Sequence, residues 1–167
     1  MKIKAGIIGG SGYTGIELLR IMRLHPNAEV HAISSRALEG RKVSEVFPNM
    51  HGITELSYSL PDDKALFECD IVFFATPHGV AMNNAKLFLD KNIKVVDLGA
   101  DFRISNASIW SDWYKMEHTQ ESLLKEAVYG QPEIKRDVIK EARLVANPGC
   151  YPTAVLLALK PLLQNNL

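Results

Sequence analysis

The sequence predicts an α/β fold built on a doubly wound, mostly parallel sheet, and three observations predict it. Short apolar runs alternate with longer amphipathic segments along the chain. One run, Ile71–Ala75, is apolar at every position, the pattern of a parallel strand covered on both faces. A glycine-rich turn closes the first run and opens the first amphipathic segment.

Each element follows from its local pattern. Ile3–Ile8 reads as the first strand. Ile16–Leu24 reads as a helix, with Glu17, Arg20 and Arg23 on a polar stripe and Pro26-Asn27 ending it. Ala28–Ser34 is a second strand, and Arg36–Asn49 a loop with a short helical turn. Glu55–Leu60 is expected as a third strand, with a short helix near Asp62–Glu68. After Ile71–Ala75 come a helix over Val80–Lys91 and a strand over Ile93–Asp97. Arg103–Tyr129 is polar, holds Trp110 and Trp113, and follows neither period. Glu133–Ala142 reads as helix and Arg143–Ala146 as the last strand. Asn147-Pro148-Gly149-Cys150 then turns into an apolar helix, Tyr151–Lys160. In such folds ligands sit at the carboxyl ends of the strands.

Composition narrows the function classes. The 167 residues suit one domain, or one domain with the start of another. With 47% hydrophobic residues the chain is too apolar for disorder, and no run is long enough to span a membrane. The 19 basic and 19 acidic side chains balance, which argues against nucleic acid as a partner. Two cysteines, Cys69 and Cys150, make no disulfide framework, and the first apolar stretch is too short for a secretory leader. No Cys/His cluster has the spacing of a metal site. A cytoplasmic protein without a metal or membrane partner is the expectation.

The turn Ile8-Gly9-Gly10-Ser11-Gly12-Tyr13-Thr14-Gly15 carries the first chemical signal. Gly10, Gly12 and Gly15 match the dinucleotide fingerprint of a Rossmann-like domain: one glycine for the tight turn, one for close approach of a pyrophosphate, one for helix–strand packing. Ser11, Tyr13 and Thr14 lie between them, where free N–H groups at a helix start favour an anion. An ordinary strand-to-helix turn is the plain alternative. About twenty residues beyond the last glycine, an NAD site places an acidic residue for the ribose. Here Ser34, Ser35 and Arg36 stand instead, two hydroxyls and a guanidinium that suit a 2′-phosphate and favour NADP. Arg36 is otherwise a solvated loop residue, and Arg41 and Lys42 are weaker candidates for its role. Thr76, Pro77 and His78 follow the Ile71–Ala75 strand, where they line the cofactor site or simply form a turn.

Cys150 follows a strand and a Pro-Gly turn and precedes a helix. A thiol at a helix N-terminus gains thiolate character from the helix dipole, so Cys150 is a candidate nucleophile for thioester chemistry. The alternative is a buried cysteine in the helix–sheet interface, the reading given to Cys69. Arg103, in Asp97-Leu98-Gly99-Ala100-Asp101-Phe102-Arg103, could hold a substrate phosphate or carboxylate, or pair with Asp97 or Asp101.

Four segments together resemble the N-acetyl-gamma-glutamyl-phosphate reductases: Gly9–Gly15, Asp97–Arg103, Val128–Glu133 and, most specifically, Val145-Ala146-Asn147-Pro148-Gly149-Cys150-Tyr151-Pro152-Thr153. The resemblance covers nearly the whole chain. It implies NADPH-dependent reduction of an acyl phosphate to N-acetylglutamate semialdehyde, with Cys150 as nucleophile and Arg103 and Asn147 in the substrate site. In that scheme Cys150 displaces phosphate to form a thioester, which hydride from NADPH then reduces. It further implies a homo-oligomer. An aspartyl-phosphate or a carrier-bound aminoadipyl-phosphate reductase, or a dinucleotide-binding module without chemistry, are the alternatives. Members of the family are longer, with a catalytic histidine in a second domain, and none of His25, His31, His51, His78 or His118 lies in a matching motif. The resemblance therefore divides the chain into an NADP-binding domain, 1–147, and the nucleophile turn and first helix of a truncated catalytic domain, 148–167. Turnover by this chain alone is expected to be negligible.

Overall fold

The computed structural model describes residues 2–166. Within them, six strands form one sheet: β1 (Ile3–Ile8), β2 (Ala28–Ser34), β3 (Ile71–Phe74), β4 (Lys94–Asp97), β5 (Val128–Tyr129) and β6 (Leu144–Ala146). Every pairing is parallel, in the order β2-β1-β3-β4-β6-β5. The chain runs outward from β1 to β2, then crosses back to place β3 on the other side of β1. That reversal opens a crevice at the carboxyl ends of β1 and β3, the binding position of open α/β sheets.

Among the described residues, seven helices connect and follow the strands: α1 (Tyr13–Met22), α2 (Val43–Val46), α3 (Val80–Leu89), α4 (Ala107–Tyr114), α5 (Glu121–Glu126), α6 (Pro132–Glu141) and α7 (Cys150–Gln164). The first begins three residues before the expected Ile16, so the glycine turn runs straight into it. The expected strand Glu55–Leu60 is not one. It makes single bridges only, Ser59 to Ser34 in parallel and Ser57 to Lys42 antiparallel. Its backbone divides its bonds between the end of β2 (Ser59 N–H to Ile33 O, 3.0 Å) and the loop beyond it (Tyr58 N–H to Arg41 O, 2.9 Å). No ladder with one partner can form. Asp62–Glu68 contains a tight turn of 3₁₀ type, Lys64–Glu68, which Asp63 caps by accepting from Ala65 N–H at 2.8 Å. The polar segment without a period holds α4, α5 and the edge strand β5.

Side-chain alternation splits the core between the faces of the sheet. The row Ile8, Phe74, Asp97 and Ala146 is buried under α3, α4 and α5, whose Ala85, Phe88, Trp110 and Leu124 fill that side. Phe88 stacks on Phe67 (4.7 Å between ring centres) and meets Phe74 edge-on at 5.8 Å. Burial of one such ring contributes roughly 1.5–3 kcal/mol. The neighbouring row Ile7, Phe73, Val96 and Val145 is covered fully only at Ile7, where α1 and the 43–58 segment pack. Phe73, Val96 and Val145 are half-buried. No side chain of α7 is buried, and Val155, Leu156, Leu159 and Leu162 face outward. Among the described residues, no helix is long and apolar enough to cross a membrane.

Candidate functional site

All six strands point the same way, so the segments that follow them gather at one edge of the sheet. The glycine turn follows β1. Gly9 carries the positive φ, +84°, and a Cβ there would sit 2.5 Å from the Ala75 carbonyl. The tight-turn glycine is therefore Gly9, one position earlier than the fingerprint spacing suggests. Gly10 is buried against Ile33 and Tyr58. Gly15 packs helix on turn, since a Cβ would lie 2.6 Å from Gly10 Cα. Gly12 is open, its nearest would-be neighbour being Gly9 O at 3.9 Å, which leaves room for a ligand over the exposed Tyr13 and Thr14. Ser11 N–H has no acceptor among the described residues.

The end of β2 supports this turn from below. Ser34 is fully buried; its carbonyl accepts from Gly9 N–H (3.2 Å) and Gly10 N–H (2.9 Å). Ser34 is not among the residues that line the cleft, and its buried hydroxyl has no partner among the described residues. Ser35 Oγ donates to Ser11 Oγ at 2.9 Å. Arg36 is exposed, and its guanidinium makes no hydrogen bond or ion pair among the described residues. Lys42, one of the two weaker candidates, is paired with Glu55 at 3.0 Å.

A cleft of about 720 Å³ opens between these segments and the end of β3. Of the residues singled out in the sequence for the cofactor, Ser11, Ser35, Arg36, Thr76 and Pro77 line it, while Gly10, Gly12, Tyr13, Thr14, Gly15, Ser34 and His78 do not. Thr76 Oγ1 is buried without a partner, an orphaned polar atom on that wall. His78 is exposed beyond the cleft, edge-on to Tyr114 at 4.8 Å. The opposite wall comes from Leu60, Pro61 and Asp62 and from Asn84 and Leu87 of α3, which sequence reasoning missed. The Pro61-Asp62 turn was a legible signal. The exposed face of α3 carried none, because tertiary packing decides which outer-face residues border a cleft.

The second focus lies after β4 and β6. Asp97 ends β4 fully buried, accepting from Gly99 N–H (2.8 Å) and Asp101 N–H (3.0 Å). Burial, with the Asp101 charge beside it, pushes its carboxyl up to about 6. Asp101 caps α3 from outside, accepting from Gly79 N–H (2.9 Å) and Met82 N–H (2.9 Å). Trp110 Nε1 donates to Ala100 O at 2.8 Å, and His118 Nε2 bonds Asp101 O at 2.8 Å. This loop is thus fastened at successive residues. It presents Arg103, whose Nε donates to Asn147 O (2.8 Å) and whose Nη2 donates to Leu98 O (3.0 Å). Arg103 bonds neither Asp97 nor Asp101, contrary to the pairing alternative. Two backbone carbonyls hold it, with its remaining N–H groups left for an anion.

Asn147 N–H donates to Asp97 O (2.8 Å), joining the β6 turn to the same loop, and its side chain donates to Pro148 O (3.1 Å). Gly149 caps α7, and a Cβ there would lie 3.1 Å from Arg103 Nη1. Cys150 is the first residue of α7 and is exposed, whereas Cys69 is buried, its thiol pushed up to about 11 by desolvation. The interface-filling reading fits Cys69; within this chain Cys150 fills no helix–sheet interface. Among the described residues the Cys150 and Tyr151 N–H groups are first-turn donors without an acceptor, Pro152 has no N–H, and Thr153 N–H closes the first helical bond to Gly149 O at 3.0 Å. Among the described residues no histidine hydrogen-bonds Cys150; both ring nitrogens of His118 are engaged elsewhere, and His31 lies 3.4 Å from Glu68.

Comparisons with known proteins agree with this fold. The family model of the semialdehyde dehydrogenase NAD binding domain matches residues 4–142. A protein of Ruthia magnifica subsp. Calyptogena magnifica named N-acetyl-gamma-glutamyl-phosphate reductase is 60% identical over 164 residues, 98% of this chain and 48% of that protein. One of the same name from Thiobacillus denitrificans is 56% identical over 162 residues, 97% of this chain and 47% of that protein. The chain spans about half the length of the curated relatives it matches. The crystal structure of aspartate semialdehyde dehydrogenase II complexed with ASA from Vibrio cholerae superposes with a TM-score of 0.72 at 17% identity, over 97% of this chain and 46% of that one. The Candida albicans enzyme with NADP gives 0.63 at 20%, over 99% and 48%. At those identities the likeness is one of fold.

Proposed function

Because the chain belongs to the family of the semialdehyde dehydrogenase NAD-binding domain, we propose that it is the dinucleotide-binding part of an NADP-dependent acyl-phosphate reductase and carries that enzyme's nucleophile. The substrate is N-acetyl-γ-glutamyl phosphate and the products are N-acetylglutamate semialdehyde and phosphate, a choice supported by the names of the relatives. The observation that carries the reading is Cys150: an exposed thiol at the start of α7, on the same sheet edge as the glycine turn.

The residues present fit a dinucleotide. An open Gly12, the free Ser11 amide and the α1 N-terminus suit the pyrophosphate. Ser35 and the unpaired Arg36 suit the 2′-phosphate, and Thr76, Pro77 and His78 border the β3 side. Ser34 acts by carrying the turn. When bound, the dinucleotide supplies the hydride that takes the acyl group to the aldehyde level. Cys150 sulfur attacks the acyl carbon, forming a C–S bond and expelling phosphate with the electron pair of the broken C–O bond. The Cys150 and Tyr151 N–H groups face the oxygen charge that develops. The spare N–H groups of Arg103, with Asn147, hold the acyl phosphate. After reduction the C–S bond breaks, the thiolate returns and the aldehyde leaves. Residues 148–167 open a separate catalytic unit, supported by the exposed apolar face of α7. The working enzyme is a cytoplasmic homo-oligomer, and this chain alone turns over negligibly.

The test is NADPH oxidation driven by N-acetyl-γ-glutamyl phosphate in the full protein that carries this chain, with and without Cys150→Ser. Turnover is lost in the variant while NADP affinity stays. Unchanged turnover sinks the covalent mechanism and leaves a binding module. Faster turnover of a carrier-bound aminoadipyl phosphate would reassign the substrate.

A further inference from the structure

We propose that Tyr58 is a positioning residue for the dinucleotide pyrophosphate, acting through the peptide between Gly10 and Ser11; the inference rests on the dinucleotide reading above. Tyr58 is 2% exposed and packs among Ile7, Ile33, Val43 and Met50 on the side of the sheet opposite α3. From there its hydroxyl donates to Gly10 O at 3.3 Å. The residue lies in the irregular segment that replaces the expected strand. Its backbone is anchored at both ends, Tyr58 N–H to Arg41 O and Gly40 N–H to Tyr58 O (2.8 Å), so the phenol is presented from a fixed base.

The effect on the ligand side follows from peptide geometry. In a planar trans peptide the C=O and the following N–H point in opposite directions. Holding Gly10 O inward against Tyr58 therefore turns Ser11 N–H outward. That amide has no acceptor among the described residues, and Ser11 lines the cleft. The two preceding amides are already committed to Ser34 O, so they cannot serve the ligand. Of the Gly9–Ser11 amides, the outward one is the one that Tyr58 orients. Without the hydroxyl, the buried Gly10 carbonyl is left unpaired. The peptide then gains by rotating toward water, and rotation carries the Ser11 N–H away from the anion.

Tyr58→Phe tests this, because it keeps the ring in its packing and removes only the donor. Two ligands separate positioning from general support: NADP, and adenosine 2′-phosphate, which shares the 2′-phosphate and adenine but lacks the pyrophosphate. One neutral hydrogen bond corresponds to a fall in NADP affinity of about 3- to 10-fold, with adenosine 2′-phosphate changing less than about 2-fold. Unchanged NADP affinity, or the same fractional loss for both ligands, overturns the proposal. If the variant does not fold, the Ser11 amide resonance of the wild-type chain decides: it shifts with NADP and not with adenosine 2′-phosphate, and equal behaviour overturns the proposal. Failure of the wild-type chain to bind NADP at all overturns the dinucleotide reading, and this inference with it.

Discussion

Arg103 Nε donates to the carbonyl of Asn147 at 2.8 Å, tying the loop after β4 to the turn that presents Cys150. Its Nη2 reaches Leu98 O in the same loop, so one guanidinium spans two backbone segments. A lysine ammonium lacks the planar fork that makes both bonds at once. Arg103→Lys in the full protein is expected to lower kcat about 10- to 100-fold, with NADP affinity within about 2-fold, from one or two charged hydrogen bonds lost. Steady-state kinetics beside NADP titration checks this. Unchanged kcat means that the turn holds its shape without the brace.

Arg36 makes the cofactor choice testable. Its guanidinium is exposed on the lining of the cleft and has no partner among the described residues, and the neighbouring Ser35 is bonded to Ser11. Arg36→Ala is expected to weaken NADP about 10- to 100-fold, the worth of a charge-assisted contact to phosphate, and to leave NAD unchanged. Equal loss for the two dinucleotides, or none, removes the 2′-phosphate role.

Asp97 links pH to stability with a definite sign. Its carboxyl is pushed up from about 3.8 to about 6 by burial and then by Asp101, so the native state takes up a proton before the unfolded chain does. The contribution is therefore complete below about pH 4 and is lost as pH rises through about 6, an effect of about 3 kcal/mol. A carboxyl ¹³C titration should show the Asp97 midpoint near 6, and denaturant unfolding should show this component declining between pH 4 and 6. A midpoint at or below 4 contradicts the sign.

Asp101 caps α3 through two backbone amides while fully buried. Asp101→Ala strands those donors, and the expected loss is about 2–4 kcal/mol of stability. Urea unfolding measures it. A loss under about 0.5 kcal/mol would mean that water replaces the carboxylate there.

The parts of the site that were legible in sequence were those made by local backbone rules. The glycine run at residues 9–15 names a strand-to-helix turn because only glycine tolerates the φ of Gly9 and the approach at Gly15. Asn147-Pro148-Gly149-Cys150 names a strand-to-helix turn for similar reasons, and Pro152 fits the first turn of α7. The segment around Trp110 and His118 was opaque because its short helices, α4 and α5, are fixed by what they brace. Trp110 and His118 bond the carbonyls of Ala100 and Asp101, residues distant enough that no periodic pattern records them.

The amino-acid sequence by itself determined the parallel alternation, the two glycine turns and the placement of Cys150 at a helix start. These depend on side-chain period and on φ, both properties of a few neighbouring residues. Tertiary structure decided which groups are committed and which are free. The Ser34 carbonyl went to the Gly9 and Gly10 amides, Lys42 to Glu55, and Arg103 to two carbonyls, while Arg36 and the Ser11 amide have no partner among the described residues. A hydrogen bond across 44 residues, such as Arg103 to Asn147, exists only once the sheet has brought two strand ends together.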